Sequence, residues 1–213
     1  MNTRLQHVCN IIPRKLDGLK ILDCGIGFGE MAFRLRTHYR FRGTPFIVGL
    51  DLHESYVLLH STLGLYDKVY NCSVIDIPYA ENFFDIVLAL ELIEHLSKED
   101  GLKMLNEVER VSRGQVIITT PHGFTATRER GGNPHMEHIS GWHPKDFTDR
   151  GYSVRLIDPR MMTRSTRLVD NVRRAALQIR RIPKTILAVK KSERNQSYEG
   201  ILRVDDLVPI IDK

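Results

Sequence analysis

Apolar residues cluster along this chain in short runs at 19–24, 46–50, 68–73, 84–90 and 115–119, and each run predicts a strand. Between them, helix-like spacing predicts helices at 28–40, 53–64 and 99–111. Regular alternation of the two patterns implies a parallel sheet with helices on both faces. Farther on, His143-Pro144-Lys145-Asp146-Phe147 reads as a short helix with proline in its first turn. Gly151–Ile157 reads as a sixth strand and Thr185–Lys191 as a last one, with no internal repeat or low-complexity tract along the way. A chain of 213 residues fits a single domain, 1–213, large enough to bury a sizeable core.

The junction of the first strand and first helix carries the chemistry. In Ile21-Leu-Asp23-Cys-Gly25-Ile-Gly27-Phe-Gly29-Glu30 an apolar run ends in an acid, and glycines follow at alternate positions. A strand, a tight turn and a helix N-terminus in this order bring backbone N–H groups against a nucleotide-like ligand. The next strand, Phe46-Ile-Val-Gly-Leu-Asp51, ends in a carboxylate at the distance where a ribose diol is bound. A dinucleotide fingerprint requires glycine where Glu30 stands, so the spacing disfavours a nicotinamide oxidoreductase.

Asp23-x-Gly25-x-Gly27-x-Gly29 resembles motif I of the class I S-adenosylmethionine-dependent methyltransferases. Further features agree in order: Val74-Ile-Asp76-Ile77, Asn82-Phe-Phe-Asp85-Ile-Val, Leu90-Glu91-Leu-Ile-Glu94-His95, and Gln115–Thr119 leading into Thr120-Pro121. The resemblance covers about residues 18 to 158. It implies a Rossmann-like α/β fold: a doubly wound, mostly parallel seven-stranded sheet whose last strand, 185–191, is antiparallel. It also implies S-adenosylmethionine as cofactor. Gly25, Gly27 and Gly29 would let the backbone approach it, Asp23 would orient its amino-acid end, and Asp51 would bind the ribose. Leu52 would cover the adenine, Asp76 and Ile77 would face the adenine edge, and Leu90 and Glu91 would close the floor.

Composition narrows the setting. The chain is 42% hydrophobic, yet it has no apolar run near 18 residues and no apolar leader core at its start, so a cytoplasmic protein is expected. Three cysteines without metal-like spacing read as small buried hydrophobes in a reducing compartment. The net charge of +5 is uneven. Residues 1–159 hold 18 Lys and Arg against 20 Asp and Glu, whereas 160–194 hold 11 against 2.

That basic stretch contains a two-sided pattern. Leu168, Val169, Val172, Ala175, Ala176, Ile179 and Ile182 fall on one side of a helical wheel. Arg173, Arg174, Arg180 and Arg181 fall on the other, and Pro183 ends the pattern. Residues 160–184 are therefore expected as a basic helical insertion between the last two strands, with 192–213 as a C-terminal tail. Three uses stay open: a helix docked on its own sheet, an interfacial helix peripheral to an anionic membrane, and a contact surface for RNA phosphates.

The loop after Pro121 is long and holds the single Trp, at 142, and the histidines 122, 135, 138 and 143 crowd around it. Near Glu94-His95 these histidines are candidates for proton transfer, with His95 and His138 as general base. In the small-RNA 2′-O-methyltransferases, a similar Glu-x-x-Glu-His turn and a His four residues before a Trp hold a divalent ion. By that resemblance Glu91, Glu94, His95 and His138 form an alternative metal set, although Ile139-Ser-Gly lacks the additional ligands of those enzymes. The expectation is a methyltransferase acting on the oxygen or nitrogen of a small-molecule or lipid- or glycan-linked acceptor, without metal. An RNA methyltransferase of metal-dependent 2′-O type and a non-catalytic cofactor-binding protein are the alternatives.

Overall fold

The computed structural model describes residues 3–127, 133–157 and 185–192. A helix, α1 (Thr3–Ile11), precedes β1 (Lys20–Cys24), α2 (Glu30–Thr37), β2 (Phe46–Asp51), α3 (Glu54–Leu63) and β3 (Lys68–Asn71). Then come β4 (Phe84–Leu90), a 3₁₀ turn (Ile93–His95), α4 (Lys98–Val111) and β5 (Ser112–Pro121). A second 3₁₀ turn (Pro134–Met136), α5 (Pro144–Thr148), β6 (Ser153–Ile157) and β7 (Thr185–Lys191) complete the order. The strands form one sheet in the order β3-β2-β1-β4-β5-β7-β6. Adjacent strands from β3 to β5 are parallel, and β7 is antiparallel to both β5 and β6. The expected seven-stranded architecture is the one observed.

The central strands are apolar throughout because both of their faces are covered. All five residues of β1 are buried. Leu22 and Cys24 point into a core shared with α4, the loop residue Trp142 and Phe147 of α5. Ile21 points to the other face, against Val8 and Cys9 of α1, Ile12 just after it, and Met31 and Leu35 of α2. On α4, buried Met104, Leu105, Val108 and Val111 form the stripe that docks on the sheet, each contributing roughly 1.5–3 kcal/mol by burial. Ser97 caps this helix, its Oγ accepting from the Asp100 N–H at 3.0 Å.

Some boundaries differ from expectation. The helix after the glycine turn spans 30–37 and not 28–40, because Gly29 sits at φ 73° and helical geometry begins only after it. β5 is longer than 115–119, since Ser112 already pairs with Phe84. α1 was not anticipated, although buried Leu5, Val8, Cys9 and Ile12 stand at i, i+3, i+4 and i+7. The basic insertion at 160–184 and the tail beyond 192 lie outside the described residues. Among the described residues, no helix is long and apolar enough to cross a membrane.

Candidate active site

A cleft of about 640 Å³ opens at the C-terminal ends of β1, β2, β4 and β5. Parallel α/β sheets place ligands there because strand ends and helix N-termini converge. Gly25 and Ile26 donate their N–H groups to Leu50 O at 2.8 and 3.2 Å, which ties the turn after β1 to the end of β2. Gly27 lies at φ 47°, and a Cβ built on it would meet nothing within 4 Å. The space above it opens into the cleft, and with no side chain on this residue the backbone there can be approached closely.

Asp51 is locked in place by the same turn. Its Oδ2 accepts from the Gly27 N–H at 3.0 Å and its Oδ1 from the His53 N–H at 2.8 Å. Beneath the loop, His60 is buried with Nε2 2.9 Å from Gly27 O. A carbonyl only accepts, so Nε2 carries the proton. The His60 ring explains Gly29: a Cβ there would come within 2.4 Å of it. Asp23 is buried, and Tyr66 Oη donates to its Oδ2 at 2.7 Å. Burial raises the Asp23 carboxyl to about 7, the Tyr66 hydroxyl opposes this, and the charge of Asp51 adds to it.

Leu52, Leu90 and Glu91 also line the cleft, whereas Gly29, Asp76 and Ile77 do not. Asp76 is exposed. Ile77 lies in the core, with its N–H on Glu107 Oε2 at 2.7 Å. Cys72 and Val74 form the wall near them, so Cys72 faces the cleft half-buried, unlike the fully buried Cys9 and Cys24. Glu91 adopts φ 53°, a left-handed conformation costing a non-glycine residue roughly 1–2 kcal/mol. Its N–H reaches Thr119 O at 2.8 Å, and its carboxylate pairs with Arg4 of α1, a partner that sequence spacing had no means of revealing.

At the other end of the cleft the loop after β5 docks on the 3₁₀ turn Ile93–His95. Trp142 is buried and donates Nε1–H to Ile93 O at 3.2 Å and to Ser140 Oγ at 2.8 Å. Its ring occupies the space at Gly101 where a Cβ would lie 2.4 Å from it. Ile139 and Ser140 donate their N–H groups to Glu94 O at 2.9 and 3.2 Å. The Ser-Gly-Trp segment is thus an anchor, and it carries His138 to Glu94, with His138 Nε2 3.9 Å from Glu94 Oε1.

His95 and His138 meet edge to face, ring centroids 4.7 Å apart. His138 Nδ1 lies 2.7 Å from Thr125 O and His95 Nδ1 lies 3.0 Å from Glu137 O. Each Nδ1 therefore bears the proton and donates, leaving both Nε2 lone pairs free to accept a proton or bind a cation. Burial lowers the His95 pKa, which favours that neutral form. Glu94 accepts from Thr120 Oγ1 at 2.9 Å through Oε2, while its buried Oε1 has no hydrogen-bond partner. Burial, followed by the charge of Glu91, pushes the Glu94 carboxyl up to about 8. One ligand atom from each of Glu94, His95 and His138 lies within 4.8 Å of the others. Glu91 is not in that group, being engaged by Arg4. The other loop histidines part company: His135 lines the cleft, and His122 packs on His143 with ring centroids 5.4 Å apart.

Residues 21–115 match the family model described as a methyltransferase domain. An uncharacterized protein of Methanocaldococcus jannaschii is 26% identical over 150 residues, 68% of this chain and 61% of that one. A ubiquinone biosynthesis O-methyltransferase of Rickettsia akari is 28% identical over 153 residues, 68% of this chain and 59% of that one. The chain thus spans less than two thirds of the length of these relatives. A solved SAM-dependent methyltransferase from Archaeoglobus fulgidus superposes with a TM-score of 0.59 at 16% identity, covering 90% of this chain and 92% of that one. With the glycine turn, the Asp51 lock and the antiparallel β7 in place, residues 21–115 match a methyltransferase domain and the chain shares the fold of solved SAM-dependent methyltransferases.

Proposed function

We propose that this chain transfers a methyl group from S-adenosylmethionine to an oxygen or nitrogen of a small-molecule or lipid- or glycan-linked acceptor. The observation that carries this reading is a single cleft with open space above Gly27 beside the immobilised Asp51 at one end and two imidazoles with free Nε2 atoms at the other. S-adenosylmethionine, when bound, supplies an electrophilic methyl on a positively charged sulfur. Gly25 and Gly27 admit the cofactor, Asp51 holds its ribose, and Leu52 with Val74 covers the adenine. Asp23 meets its ammonium end. His138 or His95 would take the acceptor's proton on Nε2, readying the acceptor for the methyl group that the cofactor would supply. Holding the acceptor in place would contribute several kcal/mol of the barrier. The cleft volume of about 640 Å³ is in the range of small-ligand sites. The Rickettsia relative, by its name, methylates oxygen in ubiquinone biosynthesis. The basic stretch 160–194 would bring the enzyme to an anionic surface on which such an acceptor is presented.

A second reading has its own observation. The orphaned Glu94 Oε1 and the two imidazole Nε2 atoms fit a divalent ion, which would orient and acidify an acceptor hydroxyl, as in metal-dependent RNA 2′-O-methylation. Calorimetry with S-adenosylmethionine, followed by a screen of cell-extract fractions for labelled methyl transfer before and after exhaustive chelation, tests both. Transfer that survives chelation rules out the metal. Loss on chelation with recovery in Mg²⁺ or Mn²⁺ favours it. Cofactor binding with no transfer to any fraction would leave a non-catalytic binding protein.

A further inference from the structure

The opposite end of the sheet carries a second cleft, of about 480 Å³, that shares no lining residue with the first. It lies beside the segments entering β1 and β2, and Arg14, Arg40 and Arg42 all line it. Among the described residues, none of these arginines has an acidic partner, and no acid lines the cleft. Asp17, the nearest acid in sequence, accepts the Thr44 N–H at 3.2 Å instead. The scaffold is fixed: Arg42 N–H donates to Arg14 O and Leu16 N–H to Arg42 O, both at 2.8 Å. Arg40 is braced by its Nε–H on Cys9 O at 2.8 Å and Nη2 on Asn10 O at 3.1 Å, which leaves its other N–H groups for a ligand. Three arginines lining one concavity gather like charge that an anion relieves, and the planar guanidinium fork suits phosphate oxygens.

An aromatic shelf stands beside the charges. Tyr39 is 90% exposed, and its ring stacks on His38 with centroids 4.5 Å apart and planes 25° from parallel. His38 is held in turn, Nδ1 accepting from the Arg40 N–H at 3.2 Å, so its Nε2 bears the proton and is a donor. A bare phosphate needs no such shelf. An exposed ring held flat beside cationic groups is what a nucleobase stacks on while its phosphate is bound.

We infer that this cleft binds a nucleotide, its phosphate among Arg14, Arg40 and Arg42 and its base on Tyr39. The inference does not rest on the methyl-transfer reading, because it uses neither the cofactor cleft nor the segment 160–194. The ligand is either a free nucleotide or a unit of single-stranded RNA.

The test is fluorescence anisotropy of the full chain with a labelled oligouridylate at low salt and across a salt series. AMP, inorganic phosphate and phosphatidylserine vesicles serve as competitors. Arg14→Glu with Arg42→Glu is expected to weaken oligonucleotide or AMP binding by about tenfold or more, since two cationic contacts are reversed. Tyr39→Ala is expected to weaken it by about fivefold or more while leaving competition by inorganic phosphate unchanged. Both variants should keep wild-type affinity for S-adenosylmethionine, which shows that they fold. Oligonucleotide affinity that falls steeply with salt and exceeds that of AMP identifies a strand as the ligand, whereas equal affinities identify the free nucleotide. Three results would overturn the inference: no binding of either probe at low salt, wild-type binding by the arginine double variant, or binding that vesicles displace and Tyr39→Ala leaves unchanged.

Discussion

At one end of the catalytic cleft a glycine turn after β1 is tied directly to Asp51 at the end of β2. At the other, the groups come from a 3₁₀ turn and a distant loop whose meeting depends on Trp142 lying against Ile93, 49 residues away in sequence. The cofactor end is held by short-range geometry: Gly25, Ile26 and Gly27 hydrogen-bond directly to Leu50 and Asp51 of the adjacent strand. The other end, which the proposed function gives to the acceptor, is held by the Trp142 anchor and carries His95, His138 and Glu94. A shared cofactor asks for one rigid cradle. Acceptors differ, and a loop-built half can be re-specified without touching the cradle.

That contrast can be broken most severely at Gly27. Gly27→Phe places a ring in the open space above the turn and should abolish detectable S-adenosylmethionine binding in calorimetry. The fold should weaken by only about 1–2 kcal/mol, the cost of positive φ. A folded variant that still binds would separate the cofactor from this turn.

The reverse experiment is His138→Ala. Removing the base should lower turnover about 10²–10⁴-fold with an acceptor-containing fraction. Cofactor affinity should hold, because the imidazole sits at the acceptor end. Equal loss of both would mean that the two halves are one unit.

Asp51→Ala should weaken the cofactor by roughly 1–3 kcal/mol as a charge-assisted hydrogen bond to the ribose is lost. Turnover at saturating cofactor should then be largely restored. Unchanged affinity in a folded protein would remove the ribose assignment.

The mildest test is of pH. Asp23 ionises near 3.8 when unperturbed and at about 7 in the fold. Between those values the folded state keeps a proton that the unfolded chain has released, so stability falls as pH rises through this window. Asp23→Asn should flatten that slope in melting temperatures taken from pH 4 to pH 8. A cofactor ammonium favours the carboxylate, so affinity for S-adenosylmethionine should rise with pH by at most about tenfold per unit and level off above 7. A pH-independent affinity would separate Asp23 from the cofactor.

Sequence reading and structure diverge along the same division. β1, β2 and β4 announce themselves because strands buried on both faces are nearly continuous apolar runs, and Gly27 and Asp51 lie where those runs stop. His138 was legible as a candidate through its place before Trp142. The reason for that place, a tryptophan filling the space left by Gly101, exists only in three dimensions. Tyr66 under Asp23, His60 under Gly29 and Arg4 on Glu91 had no local signal at all. Each contact joins elements that only the closed sheet brings together, and a side chain's partner across a sheet leaves no periodicity in its own segment.

The position of β7 has a consequence for how the sheet is completed during synthesis. Among the described residues β6 pairs only with β7, and β5 meets β7 on the side away from β4. Until residues 185–191 leave the ribosome, β5 therefore presents a bare edge through Val116, Ile117 and Ile118, and β6 has no ladder to join. Such an edge invites pairing with other chains. The nascent protein is exposed to that hazard until one late strand closes two gaps at once, so a chain stopped before Thr185 loses far more than its last strand.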